Sequence, residues 1–126
     1  MLKPKESNAQ IMLAKYSKMQ YPRVFHNYDI AALNIPVQFR VKCKVLGHLN
    51  GYPDNFYMEP RCSYHGLFIE LKREGTKLKN KNGEWASEHL EEQAEVLSKL
   101  ESKGYKAVFA VGFDEAKQIL DNYLKS

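Results

Sequence analysis

The chain has little cysteine, no long apolar run and no repeated segment, and each absence narrows what it can be. Its two cysteines, Cys43 and Cys62, could pair, but the opening Met1-Leu2-Lys3-Pro4-Lys5-Glu6 lacks the apolar block of a secretory signal. A chain retained inside the cell keeps its thiols reduced, so both cysteines are expected to be free. No apolar run approaches the ~20 residues that cross a bilayer, so the expected location is the cytoplasm, with no membrane partner. No repeat or low-complexity tract marks a linker, and 126 residues suffice for one core but not two. A single domain over 1–126 is expected. Hydrophobic residues at 44% and charged residues at 27% are the balance of a globular domain rather than a disordered one.

Charge is present but uneven. The formal net charge is +4, yet Lys72, Arg73, Lys77, Lys79 and Lys81 face only Glu74 within one short stretch. The sign then reverses, with Glu84, Glu88, Glu91, Glu92, Glu95 and Glu101 against Lys99. A basic side and an acidic side follow.

Periodicity supplies the elements. Ala9, Leu13 and Tyr16 recur at helical spacing over 6–19, and Pro22 stops the pattern. A short strand follows over 23–28. Over 36–46 two readings compete. Pro36 suits a helix start, whereas Val37, Phe39, Val41, Cys43 and Val45 alternate as in a strand, and pattern alone favours the strand. Gly47 to Asp54 is loop. Strands are expected over 55–59 and 67–72, paired as a hairpin across 60–66, and 75–83 is a basic surface loop. Ser87 caps a helix through residue 103, with Leu90, Ala94, Leu97 and Leu100 as its buried stripe and Gly104 as its stop. A strand over 105–111 and a helix over 114–124 close the chain. The order predicts an α/β fold with a mixed sheet flanked by helices.

One strand carries chemistry. In Gly66-Leu67-Phe68-Ile69-Glu70-Leu71-Lys72, side chains alternate, so Leu67, Ile69 and Leu71 face one way and Phe68, Glu70 and Lys72 the other. Glu70 and Lys72 are thus neighbours, ~6 to 7 Å apart along the strand. An exposed ion pair on an edge strand is the plain explanation. Asp54, in Gly51-Tyr52-Pro53-Asp54 at the start of the preceding strand, tips the balance. If the strands pair, Asp54 and Glu70 converge on one hard divalent cation, for which oxygen ligands suit Mg²⁺.

Pro53-Asp54 followed by Glu70-Leu71-Lys72 resembles the motif of PD-(D/E)xK nucleases. The stretch Tyr64-His65-Gly66-Leu67-Phe68-Ile69-Glu70-Leu71-Lys72-Arg73, with Gln93 on the next helix and Gly104-Tyr105 before the last strand, resembles the VRR-NUC branch of that superfamily. The resemblance implies a restriction-endonuclease-like core, a central mixed β-sheet flanked by α-helices. It also implies a helix over 36–46, and on that ground the segment is expected to be helical despite the alternation. It implies Mg²⁺ or Mn²⁺ held by Asp54, Glu70 and the Leu71 carbonyl, with Lys72 orienting or polarising the attacking water. Gln93 joins the active site, and Glu6, one turn before Gln10, approaches the metal from the first helix. Two features depart from the family pattern. An apolar residue commonly stands where this chain has Asn55, and the strand connection from Glu59 to Gly66 is long.

The partner implied is DNA, cut as a four-way junction or flap in repair or recombination by a phage or bacterial enzyme, with a homodimer bringing two sites to opposite strands. Arg73, Lys77, Lys79 and Lys81 leave the catalytic strand directly and are expected to hold phosphates; His26 and Asn27 are expected to touch substrate. Glu59 either assists the metal or faces water. The rival reading is a catalytically silent DNA-binding module, which would not need acids near phosphates; no residue excludes RNA as substrate. Cys43, His48, Cys62 and His65 have zinc-ligating residue types. The gap from Cys43 to His48 is loose and Tyr64-His65 belongs to the nuclease pattern, so a structural zinc is not the reading adopted.

Overall fold

The computed structural model describes residues 4–30 and 33–126, with side chains from Asn8 onward. In chain order the elements are α1 (Pro4–Gln20), β1 (His26–Tyr28), α2 (Val37–Val45), β2 (Asn55–Tyr57), β3 (Leu67–Lys72), α3 (Glu88–Ser102), β4 (Lys106–Val111) and α4 (Phe113–Leu124). The strands form one mixed sheet in the order β1-β2-β3-β4, antiparallel between the first three and parallel between β3 and β4. The parallel pair is joined through α3, as a crossover connection requires.

The alternation along β3 sorts the two faces. Leu67, Ile69 and Leu71 pack with Leu13 of α1 and Leu120 of α4, and Phe68 packs with Leu97 of α3 and Ala107 of β4. Because β3 lies between β2 and β4, five of its six residues are buried. An ordinary exposed ion pair on an edge strand is therefore not what Glu70 and Lys72 form.

Several elements end elsewhere than the periodicity predicts. The strand expected over 23–28 is confined to His26–Tyr28, because the chain leaves α1 through a turn in which the Val24 N–H donates to the Tyr21 carbonyl. Over 36–46 the helix prevails over the strand. Pro36 stands just outside it as the N-cap, with φ −57° and ψ 149°, and its carbonyl accepts from the Phe39 and Arg40 N–H groups. None of the nine residues of α2 is buried, so the alternation of Val37, Phe39, Val41 and Val45 records no sheet face. In α3 the buried residues are Leu90, Gln93, Val96 and Leu97; Ala94 and Leu100 of the expected stripe are half-buried. Ser87 caps this helix as predicted, its hydroxyl accepting from the Leu90 N–H at 3.1 Å.

Gly104 ends the α3 segment with φ +97°, and a Cβ there would lie 2.5 Å from the His65 ring. The position thus needs glycine both for its left-handed backbone and for the close approach of the hairpin.

Candidate active site

The hairpin of β2 and β3 brings the two acids together. Asn55 pairs with Ile69 and Phe56 with Phe68, so one step beyond the last pair Asp54 falls beside Glu70. The Leu71 N–H donates to Asp54 Oδ1 at 2.9 Å, which pins the carboxylate to the edge of β3. The N–H and C=O of one residue in an extended strand leave on the same side. The Lys72 carbonyl accepts from Gly112 on the β4 side, so the Leu71 carbonyl leaves toward Asp54.

Both acids are out of water, Asp54 at 7% and Glu70 at 5% exposure. Burial first, then the nearby charge of Asp54, pushes the Glu70 carboxyl up to about 8, and Lys72 offsets only part of this. Lys72 Nζ lies 3.5 Å from Glu70 Oε2 and donates to Gln93 Oε1 at 2.7 Å. Gln93, 6% exposed on α3, thus has its amide oxygen turned to the lysine.

Carboxylates held against one another with too little positive charge nearby suit a hard divalent cation with oxygen ligands. Among the described residues no three His, Cys, Asp or Glu side chains gather to hold a metal ion. A cation here would therefore draw on the two carboxylates of Asp54 and Glu70, the Leu71 carbonyl, and water or phosphate oxygens. That donor set fits Mg²⁺, which keeps several waters and takes one or two carboxylates.

Other expected residues lie differently. The side chain of Glu6 falls outside the described ones. His26 turns inward, stacked on Tyr57 at 4.2 Å between ring centroids, with Nε2 2.7 Å from Asn55 Oδ1; burial pushes its imidazole pKa down. Its neighbour Asn27 is exposed. Glu59 pairs with Arg61 past the end of β2 opposite to Asp54, and so stays away from the acid pair. Arg73, Lys77, Lys79 and Lys81 are all exposed, and Lys79 Nζ sits 4.6 Å over the Trp85 ring, which stiffens the loop at its middle. The zinc-type residues are occupied separately: His48 Nε2 meets Asp29 at 2.9 Å and Cys62 Sγ meets Ser126 Oγ. Both cysteines are free.

Sequence reasoning missed Asn55 and Gln10 as members of the site's surroundings. Asn55 is fully buried and exchanges two hydrogen bonds with Gln10. The available signal was a polar residue at an inward-facing strand position, next to an acid.

No helix among the described residues is long and apolar enough to cross a membrane. No protein-family model matches the sequence, and no curated protein matches it. A solved structure described as a VRR_NUC domain protein is similar to it at 27% sequence identity with a TM-score of 0.71, over 99% of this chain and 92% of that one. With an alignment running nearly end to end on both sides, a mixed sheet flanked by helices and the acid pair on its central hairpin, this chain has the VRR-NUC fold, a restriction-endonuclease-like α/β architecture.

Proposed function

We propose that the chain is a divalent-metal-dependent deoxyribonuclease that hydrolyses phosphodiester bonds, with branched DNA such as a four-way junction or flap as substrate and repair or recombination as its setting. One observation carries the reading. Two buried carboxylates, Asp54 and Glu70, lie side by side on the β2–β3 hairpin, with the Lys72 ammonium 3.5 Å from Glu70, a grouping whose desolvation is costly unless the charges are used. The likeness to a protein described as a VRR_NUC domain protein supports the same reading.

Asp54, Glu70 and the Leu71 carbonyl would hold Mg²⁺ or Mn²⁺. When bound, the cation supplies Lewis acidity that offsets negative charge on phosphate oxygens and eases deprotonation of water. The chain's own groups do the rest. Lys72 orients the attacking water and adds a positive donor where charge builds on the phosphate. Gln93 holds the Lys72 ammonium through a neutral oxygen, which fixes its position without cancelling its charge. Arg73, Lys77, Lys79 and Lys81 hold the DNA backbone beside the strand that carries Glu70 and Lys72. A homodimer would carry two such sites to opposite strands.

The test is cleavage of labelled linear duplex, flap and four-way-junction DNA with Mg²⁺, Mn²⁺ or EDTA, comparing the wild type with Asp54→Ala and Lys72→Ala. Metal-dependent cutting, strongest on branched DNA and lost in both variants, is the expected result. Binding without cutting of any substrate would replace the nuclease reading with a silent DNA-binding module.

A further inference from the structure

Behind the acid pair lies a buried polar node in which Asn55 uses all its side-chain hydrogen-bonding capacity. Its Oδ1 accepts from Gln10 Nε2 at 2.9 Å and meets His26 Nε2 at 2.7 Å. Its Nδ2 donates to Gln10 Oε1 at 2.8 Å and to Asp54 Oδ1 at 3.3 Å. An amide has two lone pairs on oxygen and two N–H donors, so the residue is saturated at 0% exposure.

The orientation of this amide is determined. The contact with Asp54 decides it: exchanging oxygen and nitrogen would set an acceptor against the carboxylate. With Oδ1 as acceptor, His26 Nε2 must carry the proton it shares, because a carbonyl oxygen has none to give. His26 is itself fixed by its stack on Tyr57, whose hydroxyl is 2.8 Å from Ser17 Oγ. A line of contacts thus runs from α1 and β1 through Asn55 to Asp54.

We infer that Asn55 is a positioning residue for Asp54, held in register by Gln10 and His26, so that α1 and β1 set the carboxylate from behind for the cation. The inference rests on the metal site proposed above. An apolar residue at position 55 would pack against Ile69 equally well but could not donate to Asp54. A buried amide in this place, at the cost of recruiting two further polar partners, is explained by the carboxylate it orients. Groups that orient a metal ligand in this way typically change metal affinity about ten- to hundredfold when removed.

The experiment uses Asn55→Leu, His26→Phe and His26→Gln in the full chain. His26→Phe keeps an aromatic ring on Tyr57 and removes the donor to Oδ1; His26→Gln restores a donor. Two readouts are taken: the Mn²⁺ dissociation constant by calorimetry, and the three-bond couplings of the Asp54 methylene by NMR in metal-free protein. Expected are weaker Mn²⁺ binding by about tenfold or more in Asn55→Leu, a smaller loss in His26→Phe, recovery in His26→Gln, and couplings that shift from one rotamer toward an average, since only the Leu71 N–H then holds the carboxylate. Wild-type affinity and a single Asp54 rotamer in both Asn55→Leu and His26→Phe would overturn the inference. If Asn55→Leu does not fold, the two His26 variants decide it. If the wild type binds no Mn²⁺, the metal-site reading fails, and the Asp54 couplings still judge Asn55 by themselves.

Discussion

Lys72 Nζ donates to Gln93 Oε1 across 2.7 Å, while the Glu70 carboxylate lies 3.5 Å away, so the shorter contact of the ammonium is to a neutral amide. Gln93→Leu keeps the apolar stripe of α3 and strips that contact. The expected cost is about 1–3 kcal/mol of stability for a buried donor left short of a partner, read by urea denaturation. The cleavage rate at saturating metal should fall by at least about tenfold, since a loosened Lys72 no longer sits where it orients the water and meets the charge that builds on the phosphate. A rate equal to wild type in the folded variant would remove Gln93 from the site.

The acid pair makes the stability of the metal-free protein depend on pH. Glu70 titrates at about 8 in the fold against an ordinary 4.5, raised first by burial and then by Asp54. A raised carboxyl favours the fold fully below its unfolded value, and that contribution is lost as pH rises through about 8. In EDTA, stability from this group should therefore decline between about pH 4.5 and pH 8, and Glu70→Gln should abolish the decline. Mg²⁺ binds the ionised pair, so its stabilising effect should grow over the same interval. Thermal unfolding at pH 5, 6.5 and 8, with and without Mg²⁺, measures both; an equal Mg²⁺ effect at all three would contradict the assignment.

Much of this arrangement was legible in the sequence because it depends on local periodicity. The two-residue period of β3 separates Leu67, Ile69 and Leu71 from Glu70 and Lys72 without any tertiary information, and Ser87 marks the start of α3 through capping chemistry. What was illegible depends on partners distant in the chain. The alternation over 36–46 reads as a strand because periodicity presumes a buried face, and α2 has none. Gln93 is buried at the site as expected, but its partner there, the Lys72 ammonium of another element, is not written in the local pattern. Asn55 looked like a departure from a pattern, since its reason lies in Gln10, a residue 45 positions away. His26 reads as a substrate contact in the sequence because the ring it stacks on, Tyr57, belongs to another strand.

Gly104 supplies a test of the hairpin that carries the acids. With φ +97° and a Cβ that would lie 2.5 Å from His65, Gly104→Ala meets both backbone and steric strain. A loss of more than about 1 kcal/mol is expected, measured by urea denaturation. Adding His65→Ala should restore the steric part and leave the backbone part, so the double variant should be more stable than Gly104→Ala alone. Strict additivity of the two changes would show that the ring and the glycine do not constrain each other.

The basic loop makes a separable prediction because its charges are exposed and lie outside the acid pair. Lys77 and Lys81 stand in solvent on either side of Lys79, which is engaged over Trp85. If the loop holds phosphates, each contact releases counterions, and the slope of log affinity against log salt falls by about 0.9 for each duplex contact removed. Lys77→Ala and Lys81→Ala should each weaken DNA binding at low salt, flatten that slope by about one unit, and leave Mn²⁺ binding unchanged. Fluorescence anisotropy across a salt series, with EDTA present to prevent cutting, gives the slope directly. Lys79→Ala should do more than its single charge accounts for, because it also frees Trp85 and loosens the loop that carries the other two. A slope equal to wild type in both outer variants would place the DNA on another surface, and the exposed Arg40, Lys42 and Lys44 of α2 would be the next to substitute.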